Sequence, residues 1–135
     1  MSPEMILIYW AGFVCSISFM EAWLKFRVPG VTLPIGLSIG SKVFKTLNRT
    51  EWFFFLLLTG ILLFVGEPVR ERIIAGFFLL AFLLLLQTFL FLPRLDRRAQ
   101  KIIKGEPVKP SGWHLSYVIA ELLKVMTLIS LGFSI

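Results

Sequence analysis

Four long apolar segments constrain the fold of this chain more than any other feature. A helix needs about 20 mostly apolar residues to cross the hydrocarbon core of a bilayer. Segments close to this length span about 5–26, 50–66, 73–92 and 113–134. Backbone polar groups in a bilayer must be satisfied within their own segment, so each segment is expected to be helical. The sequence therefore predicts an all-α integral membrane protein, a single-domain bundle of four transmembrane helices.

The composition agrees with this class. Hydrophobic residues make up 57% of the 135 residues, whereas soluble domains are about 45–50% apolar. Four spans leave no room for a soluble catalytic domain. The start of the chain lacks the basic segment of a cleavable signal peptide, so we expect the first apolar segment to be retained. Cys15 is the only cysteine, which excludes an internal disulfide and any metal motif built on cysteine pairs.

Residues 33–48 have the pattern of an amphipathic helix. Apolar side chains share one helical face, and basic side chains occupy the other. A helix of this kind typically lies in the membrane interface beside anionic headgroups. The sequence thus predicts an additional interfacial helix between the first and second spans. The alternative is a helix that continues into the second span, with Gly36 and Gly40 allowing close packing.

The predicted boundaries follow from helix-breaking residues. Pro29-Gly30 ends the first span, and Glu67-Pro68 closes the second. The short loop after Glu67-Pro68 predicts an antiparallel hairpin of the second and third spans. Pro93 is expected to end the third span, followed by a short amphipathic stretch within 94–112.

The basic residues predict an orientation. Segment 25–51 holds five Lys and Arg, segment 93–112 holds six, and the N-terminal segment holds none. Basic loops usually remain cytoplasmic. We therefore expect two cytoplasmic basic loops, both termini outside, and insertion in the plasma (inner) membrane. A set of basic side chains is expected to contact lipid headgroups: Lys42, Lys45, Arg49, Arg97, Arg98 and Lys101.

Charged residues also occur inside the predicted spans. Each costs at least a few kcal/mol near the centre of a bilayer, so such residues usually face a protein interior or a wet cavity. Their helical spacing predicts a stripe on the fourth helix that could meet the first. The predicted intramembrane polar cluster comprises Glu21, Lys25, Gln87, His114, Tyr117, Glu121 and Lys124.

This cluster has two interpretations. It could be an ion or proton pathway, with Glu21 or Glu121 titrating and His114 near the cytoplasmic mouth. It could instead be structural, with Glu21 paired to Lys25 and Glu121 paired to Lys124. Two acids and two bases balance in charge, which favours the structural interpretation.

Two functional hypotheses follow. The first is a small transporter or channel for ions, protons or a small solute. The second is a non-catalytic accessory or scaffold protein that binds anionic lipid or a protein partner through its basic face. A homodimer is compatible with either. No catalytic constellation and no metal or cofactor motif is present, so we predict neither an enzyme nor a cofactor. The basic residues form no nucleic-acid-binding face, and we assign the sequence to no known family.

Overall fold

Four long helices make up the computed structural model, which describes residues 2–64 and 71–133. They are α1 (Pro3–Arg27), α2 (Leu33–Phe64), α3 (Glu71–Ile103) and α4 (Trp113–Phe133). The described residues contain helices and no strand, which confirms the predicted all-α class. Each of the four helices is long and apolar enough to cross a membrane.

Helix α1 begins and ends at sequence signals. The Ser2 hydroxyl accepts a hydrogen bond from the Met5 amide at 3.4 Å and caps the helix. The helix widens into a π-helix over Ser16–Glu21 and ends in a 3₁₀ turn. Gly30 follows with φ of 88°, a left-handed conformation that glycine adopts without a Cβ clash. The chain thus turns at the predicted break. Thr32 then accepts a hydrogen bond from the amide of Ile35 at 3.5 Å.

Helix α2 does not confirm a separate interfacial helix. Residues 33–48 are the first half of one helix that continues to Phe64, which is the alternative that the sequence left open. No glycine or proline occurs between Gly40 and Gly60, so nothing in the sequence interrupts the helix. Gly36 also packs against the ring of Phe26 at the end of α1. The amphipathic half is therefore held against α1.

Helix α3 does not end at Pro93. It continues to Ile103, so the predicted amphipathic stretch is the last part of the same helix. Proline lacks an amide hydrogen, and its ring collides with the carbonyl four residues earlier. The helix widens into a π-helix over Gln87–Phe91 just before the proline, and the Leu92 amide bonds to the Gln87 carbonyl. We attribute the continuation to this wider turn, which relieves the collision.

The predicted end of α2 at Glu67-Pro68 and the hairpin loop lie outside the described residues. Helix lengths nevertheless differ from the predicted spans. At 1.5 Å per residue, α2 and α3 are each roughly 50 Å long, well beyond the roughly 30 Å of a hydrocarbon core. Their extensions pair with each other, because Lys45 of α2 lies 3.1 Å from the carboxylate of Asp96 in α3.

The core is apolar and lies mainly between α1 and α4, which have the most extensive contact in the bundle. Fully buried side chains from all four helices fill it: Ile6, Leu7, Trp10, Val14, Leu47, Leu58, Leu80, Leu84 and Leu128. A glycine allows the close approach of α4 to α1, because a Cβ on Gly132 would lie 2.8 Å from Cγ1 of Ile8. Large apolar side chains cover the outside, including Phe53, Phe89 and Phe133, each more than half exposed.

The two ends of the bundle differ in charge. Helices α1 and α3 end where α2 and α4 begin, and we call this the basic end. It bears Lys42, Lys45, Arg49, Arg97, Arg98 and Lys101 on the first half of α2 and the last turns of α3. All of these side chains are exposed except that of Arg98, which is half-buried.

Candidate functional site

Lys124 is the centre of a buried polar cluster. Its side chain is fully buried, and its Nζ lies 2.6 Å from Oε2 of Glu51 and 2.7 Å from Oε1 of Glu121. The same Nζ donates a hydrogen bond to the side-chain carbonyl of Gln87. An ammonium group has three hydrogen-bond donors, and here each has an acceptor. We call Glu51, Gln87, Glu121 and Lys124 the buried cluster.

Side chains of α1 complete the buried cluster. The Trp10 indole donates to Oε2 of Glu51 at 2.9 Å, and the Ser18 hydroxyl donates to Oε2 of Glu121 at 2.7 Å. The amide nitrogen of Gln87 donates to Oε1 of Glu121. All four helices therefore contribute a polar side chain to one connected network.

The charges of the buried cluster do not balance. Glu51 and Glu121 are each 1% exposed, and they face the single ammonium of Lys124. With all three groups ionised, the cluster carries one excess negative charge. An uncompensated charge away from water is costly, so binding one proton or one cation would neutralise a site that the protein alone leaves negative.

Glu21 and Lys25 form a second, less buried pair. Their carboxylate oxygen and Nζ are 3.8 Å apart. Oε2 of Glu21 is buried and has no hydrogen-bond partner within the ranges that the structure describes. The ammonium of Lys25 instead lies 5.4 Å and 5.5 Å from the ring centroids of Phe26 and Phe44, which places it for cation–π contact. Five of the predicted polar residues thus divide into two groups, Gln87, Glu121 and Lys124 in the buried cluster and Glu21 with Lys25 in the second pair.

A cavity of about 370 Å³ lies at the basic end. It is lined by residues of all four helices, from the exposed His114 to the buried Glu121. These two positions are roughly 10 Å apart along α4 at 1.5 Å per residue. Glu121 is the residue of the buried cluster that also lines this cavity. The cavity therefore extends from the surface of the basic end to the carboxylate of Glu121.

Tyr117 lies between His114 and Glu121 on α4. Its side chain is buried, lines the cavity and packs edge-on against Phe44, with ring centroids 5.5 Å apart. The predicted stripe on α4 is therefore present, and the burial of its side chains increases from the exposed His114 to the fully buried Lys124.

Both π-helical segments are located at this site. Ser18 and Glu21 belong to the π-helix of α1, and Gln87 begins the π-helix of α3. Such widened turns occur frequently at functional sites because they change the direction of a side chain relative to a regular helix. Here Ser18 and Gln87 both reach Glu121.

Sequence reasoning missed Glu51, Trp10 and Ser18 as partners in the buried cluster. It assigned Glu51 to the boundary of the second span, where a carboxylate can be solvated. A signal was nevertheless present, because Glu51 follows Leu47 by four residues on the apolar face of α2. Leu47, Glu51 and Leu58 are each 1% exposed. Ser18 carried a weaker signal, since it shares a helical face with Glu21 and Lys25.

Most side chains of the predicted basic face are exposed to solvent, and Lys45 forms an ion pair with Asp96. Arg98 is half-buried, and its guanidinium donates to the backbone carbonyl of Lys109 and, at 3.1 Å, to the hydroxyl of Ser111. Among the described residues, no group of three or more His, Cys, Asp or Glu side chains could hold a metal ion.

Comparisons with protein-family models, with curated proteins and with solved structures find no match to this chain.

Proposed function

We propose that the protein is a small integral membrane transporter or channel whose buried cluster binds a proton or a small cation during transport. One observation carries this proposal: Glu121 belongs both to the buried cluster and to the wall of the cavity at the basic end. A carboxylate in this position can exchange a proton or cation with the cavity while remaining in contact with Lys124.

The charge of the cluster supports the proposal. The sequence suggested two balanced ion pairs, but Glu51 adds a further carboxylate to the Glu121–Lys124 pair. A site with one excess negative charge attracts a cation electrostatically, whereas a neutral ion pair has no net charge to attract one. Intramembrane ionisable residues of this kind often mark ion and proton pathways.

On the side of the buried cluster away from the basic end, the described residues form an apolar layer. One or two helical turns beyond the buried cluster lie the fully buried side chains of Leu7, Leu80 and Leu128. Transport would require this apolar layer to open, so we propose alternating access rather than a permanently open pore. A homodimer could supply the surface against which such a movement occurs.

For the membrane orientation we propose that the basic end faces the cytoplasm and that both termini lie outside. The positive-inside rule supports this placement, because the basic residues concentrate at one end. The plasma (inner) membrane is the proposed location.

A flux assay tests the proposed function. Purified protein would be reconstituted in liposomes that contain a pH-sensitive dye, and proton or cation uptake would be followed under an imposed membrane potential. Glu121→Gln removes the exchangeable carboxylate charge but keeps an acceptor for Lys124, so we expect flux to fall to the level of empty liposomes. Glu71→Gln, an exposed change of the same chemistry, should leave flux unchanged. Flux that survives Glu121→Gln would contradict the proposal.

An accessory or scaffold function is the second candidate, and a specific observation favours it. The carboxylates, amide and ammonium of the buried cluster are all bonded to one another or to α1, as expected of a purely structural network. In that case the basic end would bind anionic lipid or a protein partner. Absence of flux in the wild-type protein, together with unfolding of Glu121→Gln, would favour this candidate.

A further inference from the structure

We infer that the cavity at the basic end binds one single-chain anionic amphiphile, with its alkyl chain against the apolar wall and its acidic headgroup between Lys25 and Arg98. This inference concerns binding alone. It adds a ligand class to the cavity through which the proposed transport site is reached, and it does not require that the ligand be transported.

The wall of the cavity is mostly apolar. Aromatic and aliphatic side chains from each helix face it, among them Phe19, Leu37, Leu95 and Val118. Its volume of about 370 Å³ is within the range of sites that bind small molecules. Away from Glu121, this part of the wall offers few polar groups, so it suits an alkyl chain better than a hydrated ion.

The charged residues of the wall are predominantly basic. Lys25, Lys45 and Arg98 line the cavity together with two carboxylates, those of Asp96 and Glu121. Both carboxylates are already engaged by cations, Asp96 by Lys45 and Glu121 by Lys124. Three basic and two acidic side chains leave the wall with one excess positive charge, which lies at the outer part of the cavity around Lys25 and Arg98.

Two cations of the wall remain available. The guanidinium of Arg98 bonds to uncharged acceptors, the Lys109 carbonyl and the Ser111 hydroxyl, and no carboxylate of the described residues forms an ion pair with it. Among the described residues, the ammonium of Lys25 pairs with the carboxylate of Glu21 at the long distance of 3.8 Å and otherwise faces the rings of Phe26 and Phe44. A carboxylate or phosphate headgroup is the complement of both, because arginine and lysine form charge-assisted hydrogen bonds with such anions.

A cationic amphiphile is the less favourable ligand for the same cavity. The rings of Phe26 and Phe44 could hold a cation, but the ammonium of Lys25 already occupies that position. A second cation there would be repelled by Lys25 at close range. The basic side chains of the wall therefore favour an anionic headgroup over a cationic one.

Photoaffinity labelling tests the inference. The protein would be reconstituted in phosphatidylcholine liposomes with palmitate that carries a diazirine in its alkyl chain, irradiated, and analysed by peptide mass spectrometry. We expect saturable labelling of peptides that contain Phe19, Leu95 or Val118. Excess palmitate should compete, and uncharged methyl palmitate should not. Lysophosphatidic acid that competes better than palmitate would identify a phosphate lipid rather than a free fatty acid as the source of the ligand.

Two arginines on the same helix provide a matched pair of variants. Arg98 lines the cavity, whereas the adjacent Arg97 is exposed and does not. Arg98→Gln should raise the half-saturating probe concentration about tenfold, the effect of losing one charge-assisted contact. Arg97→Gln should not change it. Equal effects of the two substitutions would overturn the inference, as would equal competition by methyl palmitate or labelling only of outward-facing residues such as Phe53 and Phe89.

A second variant fills the cavity without changing its charge. Ala99 lines the wall, so Ala99→Leu should reduce saturable labelling while circular dichroism confirms a retained helix content. Unchanged labelling in this variant would also overturn the inference. Labelling without flux in the wild-type protein would contradict only the proposed function, so the two conclusions can fail separately.

Discussion

Lys124 combines complete burial with two carboxylate partners, and one of these, Glu51, lies 73 positions away in sequence (124 − 51). The spacing of Glu121 and Lys124 on one helix made their pairing predictable, because residues three apart are neighbours on a helix surface. No local pattern could identify Glu51 as the second partner. That contact depends on how α2 and α4 pack, and packing between helices is not encoded in the spacing of either one.

Removing the charge of Lys124 should destabilise the protein strongly. Lys124→Met leaves Glu51 and Glu121 buried without a cation, and breaking a buried ion pair in this way costs about 3–5 kcal/mol. Glu51→Gln should cost less, about 1 kcal/mol, because it removes the excess negative charge and its amide oxygen can still accept from Lys124 and Trp10. Denaturant unfolding in detergent micelles, followed by circular dichroism, would measure both. Lys101→Met, at an exposed position, is the control. Equal stability of Lys124→Met and Lys101→Met would disprove the structural role of the cluster.

Helix α2 illustrates what the sequence does and does not determine at the scale of an element. Its amphipathic half predicted a helix correctly, but amphipathicity alone does not distinguish an interface that contacts lipid headgroups from one that contacts another helix. The same ambiguity affects α3, where Pro93 predicted an end. The helix instead widens over Gln87–Phe91 and continues. A proline removes one backbone hydrogen bond and crowds the preceding turn. The packing of the rest of the fold determines whether the helix ends there or widens and continues.

Two glycines of α2 test whether its first half packs against α1. A Cβ on Gly36 would collide with the ring of Phe26, whereas a Cβ on Gly60 would meet no atom within 4 Å. Gly36→Ala should therefore lower the unfolding free energy. Gly60→Ala should raise it by up to about 1 kcal/mol, because alanine is the better helix former. Thermal unfolding of both variants in the same detergent would measure the difference. Stabilisation by both substitutions would indicate that residues 33–48 do not pack against α1.

At the scale of the whole molecule, the basic side chains concentrate at one end of the bundle, where the cavity also lies. The sequence predicted four helices and allowed contact between the first and the fourth, and the structure contains both. The sequence did not predict that α2 and α3 extend beyond their apolar spans and pair through Lys45 and Asp96. Nor did it predict the cavity that these extensions help to line. These features arise from the combined lengths of separate elements, so no single segment carries a signal for them.

Cysteine labelling can determine the proposed orientation, because the chain has one native cysteine to remove. In a Cys15→Ser background, Ser2→Cys reports on the N-terminus and Lys101→Cys on the basic end, and both positions are exposed. A membrane-impermeant maleimide added to intact spheroplasts should label the first variant and not the second, since basic segments are retained in the cytoplasm. Detergent permeabilisation should make both reactive, which controls for accessibility. The reverse pattern would place the basic end outside. The cavity and Glu121 would then open toward the exterior, and the proton or cation would enter the buried cluster from that side.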